Sequence, residues 1–464
     1  MLNHSDCSAG MLKSHIPAFV SFILGRLKQA GHQGFIVGGA VRDACMKRPI
    51  TDWDVATSAP PEKIKAIFGD KSLFSLKHGT VTLVHGDCLF EVTTFRGKEN
   101  TLEHDLACRD FTINAMAYDP DKDEILDPHG AKQDIARRLV RAVGDPEARF
   151  KEDPLRLLRA MRFATELGFR IESETYKSLR KMAPFITAVA PERVRDELMG
   201  VLMSPKPSAG FNMMLRTGLI EYFLPELSEG HLKRQNASHR HTIFKHVMES
   251  IDQVKPVPVL RLTALFHDIA KPRVREKIVG KWHFYGHEGA SAILAEQIMV
   301  RLKFSKDIIR KTTNLIRHHM IYYDSGWSDG AVRRLIRRAG PKEIADLLDF
   351  READILAHGL HDKGLNLLTE LKQRVRHLSK GLVVTETGDL AINGREVMHI
   401  LGLSPGQEVG KVLNYLLEKI TDHPELNDQK GLLGLLEQMK SDESVKSHKW
   451  DGTVKSSKCK ACEP

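Results

Sequence analysis

The pattern of the chain changes abruptly near residue 130, and this limits the fold more than any other feature. Before it, Gly34-Phe35-Ile36-Val37, Thr80-Val81-Thr82-Leu83-Val84 and Leu89-Phe90-Glu91-Val92-Thr93 are β-rich runs bounded by Gly, Asp or His, which predicts strands. Phe111 to Ala117 alternates apolar and polar residues but also suits a helix, and both readings stay open. From about residue 131 strand signals nearly vanish, and helical patterns follow one another, punctuated by Pro and Gly. The expectation is an α+β chain with a mixed head over 1–130 and a helical neck over 131–230. Two further helical regions follow, 231–360 and 361–440, then a polar Lys/Ser-rich tail over 441–464, expected to be disordered.

With 464 residues, 42% hydrophobic and 28% charged, the chain reads as a globular protein of several domains, not a disordered, fibrous or membrane protein. The apolar run Ile16 to Leu24 is too short to span a bilayer. Ile16, Phe19, Val20, Ile23, Leu24 and Leu27 fall on one helical stripe instead, which predicts an amphipathic helix and a cytoplasmic protein without membrane contact. The pair Cys459/Cys462 lacks a second ligand pair and reads as thiols of the tail. The net charge of +9 is mild and compatible with a polyanionic partner. It is uneven, with 13 Lys/Arg against 8 Asp/Glu over 131–181 and 10 against 3 over 300–338. Such stretches are either solvated helix faces or a track for a phosphate backbone.

The densest chemistry lies in Phe35-Ile-Val-Gly-Gly-Ala-Val-Arg-Asp43, followed by Thr51-Asp-Trp-Asp-Val55. Gly38 and Gly39 directly follow a strand, where backbone without Cβ atoms approaches a phosphate closely. Arg42 offers a bidentate fork to phosphate oxygens. Asp52 and Asp54, two residues apart on extended backbone, point to one face, and two hard carboxylates side by side repel unless a cation such as Mg2+ sits between them.

In this order and spacing the motifs resemble the class II branch of the polymerase-β-like nucleotidyltransferases, which comprises bacterial tRNA nucleotidyltransferases (CCA-adding enzymes) and poly(A) polymerases. The resemblance is continuous over about 35–230 and looser to about 360. It implies a polymerase-β-like head, catalytic Mg2+ on Asp52 and Asp54, and a triphosphate held by Gly38, Gly39 and Arg42. Glu91, on a neighbouring strand, is a candidate third acid. Cys108-Arg-Asp-Phe-Thr-Ile-Asn114 is similar to the family's Arg-Arg-Asp-Phe-Thr-Ile-Asn, which implies that Arg109, Asp110 and Asn114 grip the sugar and phosphates. Cys108 stands where the family has arginine.

Phe150 to Ala164 reads as a helix start, with Asp153 as N-cap and Pro154 in the first helical position. Arg156, Arg159 and Arg162 recur every third residue as a basic strip. Glu152-Asp153-x-x-Arg156 resembles the family's specificity motif, in which the protein itself selects CTP and ATP: a carboxylate accepts from the cytosine amino group and an arginine donates to ring acceptors. Arg193 and Glu197, in Pro191-Glu-Arg-Val-Arg-Asp-Glu-Leu198, are expected to support this pocket.

Only eight residues, Gly97 to His104, separate Arg96 from Asp105. Full CCA-adding members usually carry a longer loop there, and relatives that add only CC, leaving the last A to a partner enzyme, have a short one. The reading is addition of C and/or A to the tRNA 3′ end, with a CC-only end point and a complete CCA end point both open. A poly(A) polymerase acting on general RNA is the alternative within the class.

Of 22 histidines, many lie between 231 and 319. The ordered set His246, His267-Asp268 and Asp354 resembles the HD phosphohydrolase superfamily, which implies a helical HD domain with a metal site, Mn2+ or Ni2+ being candidates. His287, His318 and the adjacent His319 would extend it. Hydrolysis of RNA 2′,3′-cyclic or terminal phosphates is the activity of another class that this set implies. A non-catalytic RNA-binding protein is disfavoured, because nearly every head motif is present.

Overall fold

The computed structural model describes residues 9–69, 72–74, 79–97, 99–235, 241–358, 362–380, 384 and 386–441. The tail pair Cys459/Cys462, and all of the expected disordered tail but Ser441, lie outside them. The chain divides into two compact units, one of residues 1–228 with 301–303, the other of 229–300 with 304–464.

The first unit is built on a seven-stranded sheet of order β3-β4-β5-β2-β1-β6-β7, with β1 at Gly34–Val37, β2 at Asp54–Thr57, β3 at Ser72–Phe74, β4 at Thr80–His85, β5 at Cys88–Thr94, β6 at Ala117–Asp119 and β7 at Glu124–Leu126. All neighbours are antiparallel except β2 and β5. The three runs expected as strands are β1, β4 and β5. The ambiguous stretch resolves into a 3-10 turn, Thr112–Asn114, that leads into β6.

Alternation along the strands gives the sheet two apolar faces. Ile36, Val55, Val92 and Tyr118 pack with Phe19, Val20, Ile23, Leu24 and Leu27 of the helix Ala18–Gln29, the amphipathic stripe expected from sequence. Val37, Ala56, Phe95 and Ala117 face the other way and pack against Leu102 and Leu106 of the short helix Leu102–Ala107. Asp54 and Glu91 alternate with Val55 and Val92, so their side chains lie on this second face. Beyond the sheet the described residues of the first unit are helical, apart from two-residue strands at Leu139–Val140 and Arg170–Ile171 and their connecting turns.

The basic helix begins later than expected. A helix over Pro146–Glu152 ends at Asp153, which is its C-cap, and the next helix is Arg156–Leu167. Asp153 is therefore a turn residue and not an N-cap: its Oδ1 accepts from the Leu155 amide at 3.2 Å, the local bond that Asp makes most readily in a turn. Leu155, Leu158, Met161 and Phe163 are buried, as expected of the apolar face.

The second unit is helical among its described residues, except for a two-stranded hairpin, Glu276–Ile278 with Lys281–His283, that the sequence reading missed. Its C-terminal part has its own apolar cluster, including Ile392, Val397, Leu416, Leu432 and Leu436.

Candidate active site

The sheet register assembles the carboxylates. Val37, the last residue of β1, pairs with Asp54, and Asp54 pairs in parallel with Glu91. The Gly38-Gly39 turn therefore leaves β1 beside the first residue of β2. Gly38 has φ +72, and a Cβ there would sit 3.1 Å from Arg109 Nη1 and 3.4 Å from Asp54 Oδ2. Only glycine leaves that space open between a guanidinium and a carboxylate.

Burial raises the Asp54 pKa to about 6, helped by the neighbouring charges of Asp52 and Glu91 and opposed by Arg109 and Arg96. Burial and Asp52 also raise Glu91. Asp54 and Glu91, both raised toward the neutral form beside Asp52, are suited to share a divalent cation. They are spread more openly than a closed cage, since the described groups with three ligand atoms within 4.8 Å all lie in the second unit.

Arg109 is aimed by Asp105, a fully buried carboxylate that the sequence reading missed. Asp105 Oδ2 accepts from Arg109 Nε at 3.0 Å and Nη2 at 2.9 Å, while Oδ1 accepts from the Arg96 amide at 3.1 Å. The same side chain thus fixes the guanidinium and closes the short segment from Arg96 to the helix Leu102–Ala107. The sequence signal was the i,i+4 spacing of Asp105 and Arg109.

Arg42 is buried, forked onto Asp43 at 3.0 and 2.9 Å, and donates to Asn114 Oδ1 at 2.8 Å. Asn114 in turn donates to Asp110 at 3.2 Å, and Asp110 also accepts from the Phe111 amide at 2.7 Å and Arg159 Nε at 2.8 Å. Burial alone would raise Asp110, but Arg159 and these hydrogen bonds hold it down at about 2. Arg159 reaches Glu197 at 3.5 Å and Arg162 donates to Glu197 at 2.7 Å, with the Arg162 guanidinium 4.2 Å from the Phe163 ring centre. The basic strip is thereby neutralised by named acids and ties the 109–114 segment to two helices.

Asp153 and Arg156 do not pair with each other. Arg193 donates to Asp153 at 2.8 Å, a half-exposed ion pair worth about 0–1 kcal/mol and hence easily exchanged for a ligand. Arg156 bonds to Glu152 at 2.9 Å and to the carbonyls of Arg149 and Cys108 at 3.1 and 3.0 Å.

Residues 34–141 match the Poly A polymerase head domain, 168–230 the "Probable RNA and SrmB- binding site of polymerase A", and 289–436 domain 2 of tRNA nucleotidyltransferases. The chain is 33% identical over 400 residues to the A-adding tRNA nucleotidyltransferase of Deinococcus radiodurans, covering 82% of this chain and 90% of that one. It is 30% identical over 408 residues to a CCA-adding enzyme of Streptococcus pyogenes, covering 84% and 89%. The chain belongs to the tRNA nucleotidyltransferase and poly(A) polymerase family. A crystal structure of the Bacillus stearothermophilus CCA-adding enzyme with CTP superposes with a TM-score of 0.70 at 26% identity, covering 92% of this chain and 98% of that one. The family depends on divalent metal ions, which the mutual repulsion of Asp52, Asp54 and Glu91 suits.

This nucleotidyltransferase carries a second cluster, wholly within its second unit. His246, His267 and Asp354 bring ligand atoms within 4.8 Å of one another, and so do Asp268, His287 and His319. All six residues are buried. Asp268 Oδ1 lies 3.5 Å from His287 Nε2, and Asp354 Oδ1 lies 3.0 Å from His246 Nε2 and 3.5 Å from His267 Nε2, so carboxylates and imidazoles crowd into one buried polar site suited to an ion. Burial pushes His246 down to about 4, the neutral imidazole that ligation needs, while against burial Asp268 and Asp354 raise His267, whose proton a bound cation would displace. Lys271 donates to Asp268 at 2.7 Å.

Of the adjacent pair His318 and His319, only His319 joins a group. His318 ends the helix Lys306–His318 and lies outside both groups, its pKa lowered by burial and by Arg338 and Arg317. His319, the helix cap, turns inward, with ring centres 5.3 Å from His267 and 5.2 Å from His287. His358, four residues after Asp354, was also missed; its ring centre is 4.5 Å from that of His246.

The raised Asp54 gives a prediction. A carboxyl whose folded pKa exceeds its unfolded 3.8 binds more protons when folded, so it costs stability progressively as pH rises from about 4 to 6, and fully above. In metal-free protein Asp54→Asn is expected to raise urea stability at pH 7.5, by at most about 3 kcal/mol, with the gain vanishing near pH 4. Equal urea midpoints at pH 7.5 would show that Asp54 is not strained in this way.

Proposed function

We propose that this protein transfers nucleotides from CTP, and ATP where it is used, to the 3′ end of tRNA without a nucleic-acid template. The observation that carries this is the row Val37–Asp54–Glu91, with the Gly38-Gly39 turn and Arg109 beside it. The tRNA 3′-hydroxyl attacks the α-phosphorus and pyrophosphate leaves. Asp52, Asp54 and Glu91 gather Mg2+, which when bound neutralises charge developing on phosphate and hydroxyl. The open backbone at Gly38 and Gly39 lets the triphosphate close in, and Arg42 faces it from a position fixed by Asp43 and Asn114. Arg109, aimed by Asp105, and Asp110 with Asn114 orient the sugar. Asp153 and Arg156 read the base once the nucleotide displaces Arg193 and Glu152 from them. The basic helical faces measure the tRNA by phosphate contacts and shape.

Only eight residues separate Arg96 from Asp105, a shortness that supports a CC end point. We infer that it stops at CC, a partner enzyme adding the final A. Two tRNA transcripts test this, one lacking CCA and one ending in CC, each offered CTP, ATP or both with Mg2+. The first is expected to stop at CC and the second to stay unextended; both reaching CCA would make this a complete CCA-adding enzyme, and ATP-only addition to unstructured RNA a poly(A) polymerase. Asp52→Ala is expected to lower incorporation at least about 10³-fold, roughly 4 kcal/mol of transition-state stabilisation.

A second activity is favoured by the two buried groups of converging ligand atoms in the second unit. His246, His267 and Asp354, with Asp268, His287 and His319, would hold Mn2+ or Ni2+, which supplies Lewis-acid chemistry for phosphoester hydrolysis. Its proposed substrate is an RNA end blocked by a 2′,3′-cyclic or terminal phosphate, which must be cleared before a 3′-hydroxyl can be extended. With Mn2+, Ni2+ or Mg2+ added, Asp52→Ala is expected to keep this hydrolysis and Asp268→Asn to lose it. No phosphate release from the wild type under any of these metals would contradict the second activity.

A further inference from the structure

The hairpin Glu276–His283 connects Asp268 to His287, so both of its ends run into the buried histidine–aspartate cluster. Its strands pair Lys277 with Trp282 and Ile278 with Lys281, leaving a tip at Val279 and Gly280. Val279 is 96% exposed and the tip buries nothing. Alternation puts Lys281 and His283 on one side, and Tyr285 continues that row: its ring stacks on His283 with centres 5.2 Å apart and planes 18° apart. Two residues further on is His287. Lys281, His283 and Tyr285 thus form a short ladder along the strand and the turn that lead to His287, a buried member of the cluster. Tyr285 is 60% exposed, so one face of the stack is open. On the other side, Arg275 lies 3.4 Å from the Trp282 ring centre and Lys277 5.7 Å from it. Three residues past His319, on the other flank of the cluster, Tyr322 is 75% exposed. Glu276 is the one acid in the hairpin against Lys277 and Lys281.

We propose that this hairpin is a docking arm for the single-stranded 3′ end of an RNA, which it feeds toward the buried cluster. The inference rests on the hydrolytic reading given above and names how that site takes its substrate. Exposed aromatic faces interleaved with lysines suit unpaired nucleotides: bases stack on Tyr285 and His283, and Lys281 meets the backbone phosphate. A duplex offers no free base face to this ladder. An apolar protein partner would gain nothing from Lys277 and Lys281.

The test uses the full-length protein loaded with Mn2+ and a short single-stranded RNA ending in a 2′,3′-cyclic phosphate. Ultraviolet crosslinking with peptide mapping is expected to place adducts on His283 or Tyr285. In kinetics, Tyr285→Ala and Lys281→Ala are expected to raise KM for the RNA about tenfold relative to KM for bis(p-nitrophenyl) phosphate, the size of one lost stacking or phosphate contact. Bound metal is expected to be unchanged. Adducts confined to the first unit, a KM ratio equal to that of the wild type, or loss of bound metal in the variants would each overturn the proposal. If the wild type hydrolyses neither substrate while adducts still map to the hairpin, the hydrolytic reading fails and the RNA-docking arm stands.

Discussion

The first unit depends on one crowded point, a partly buried carboxylate at the start of β2 with two more carboxylates near it. Parallel pairing of β2 with β5 forces Asp54 and Glu91 side by side, and Asp52 adds a third negative charge. Folding does not relieve this repulsion. It holds it in place through the sheet register, with Ile36, Val55 and Val92 packed on the opposite face. Arg109 offsets part of the charge, and it stays there because Asp105 grips it from the short helix that covers the acidic face. From Asp110 a continuous chain of charge-assisted bonds runs through Arg159 and Glu197 to Arg162. The helix Arg156–Leu167 is thus tied to the 109–114 segment by ions whose partners are supplied.

Much of this was legible in the sequence because the residues involved are local. Gly38-Gly39, Arg42, Asp52 and Asp54 lie within one strand–helix–strand passage of about twenty residues, so they are neighbours in sequence. The strand β2 itself was harder to see, since Asp54-Val-Ala-Thr57 is short and begins with a charge. Asp153 was misplaced as a cap because Asp followed by Pro signals a helix start, whereas here it also closes the preceding helix. The basic strip suggested free cations, but their neutralising partner Glu197 lies on a distant helix, and Asp110 on a separate segment. Pairing between such segments is a tertiary fact that periodicity does not carry.

The second unit shows the same limit at finer scale. A cluster of histidines with a His-Asp doublet was visible, yet which of His318 and His319 joins it depended on where a helix ends. One residue past that end, the backbone turns and the ring enters the core. Burying six ligand-type side chains there concentrates polar groups in the core, a cost an ion would reduce. One chain therefore pairs an open acidic site with a buried histidine-rich one. The first suits a hard cation on carboxylates alone, the second a cation that imidazoles and carboxylates hold together.

The crowding at Asp54 can be observed directly. Isotope-edited infrared spectroscopy of aspartate-labelled protein, titrated from pH 3 to 8 without metal, should show a carboxyl that ionises near 6 and disappears from the Asp54→Asn variant. Addition of Mg2+ and CTP should shift that ionisation downward, because the cation favours the charged form. An Asp54 carboxyl ionising near 4, unmoved by Mg2+ and CTP, would contradict the central claim that sheet register creates this site by forcing its carboxylates together.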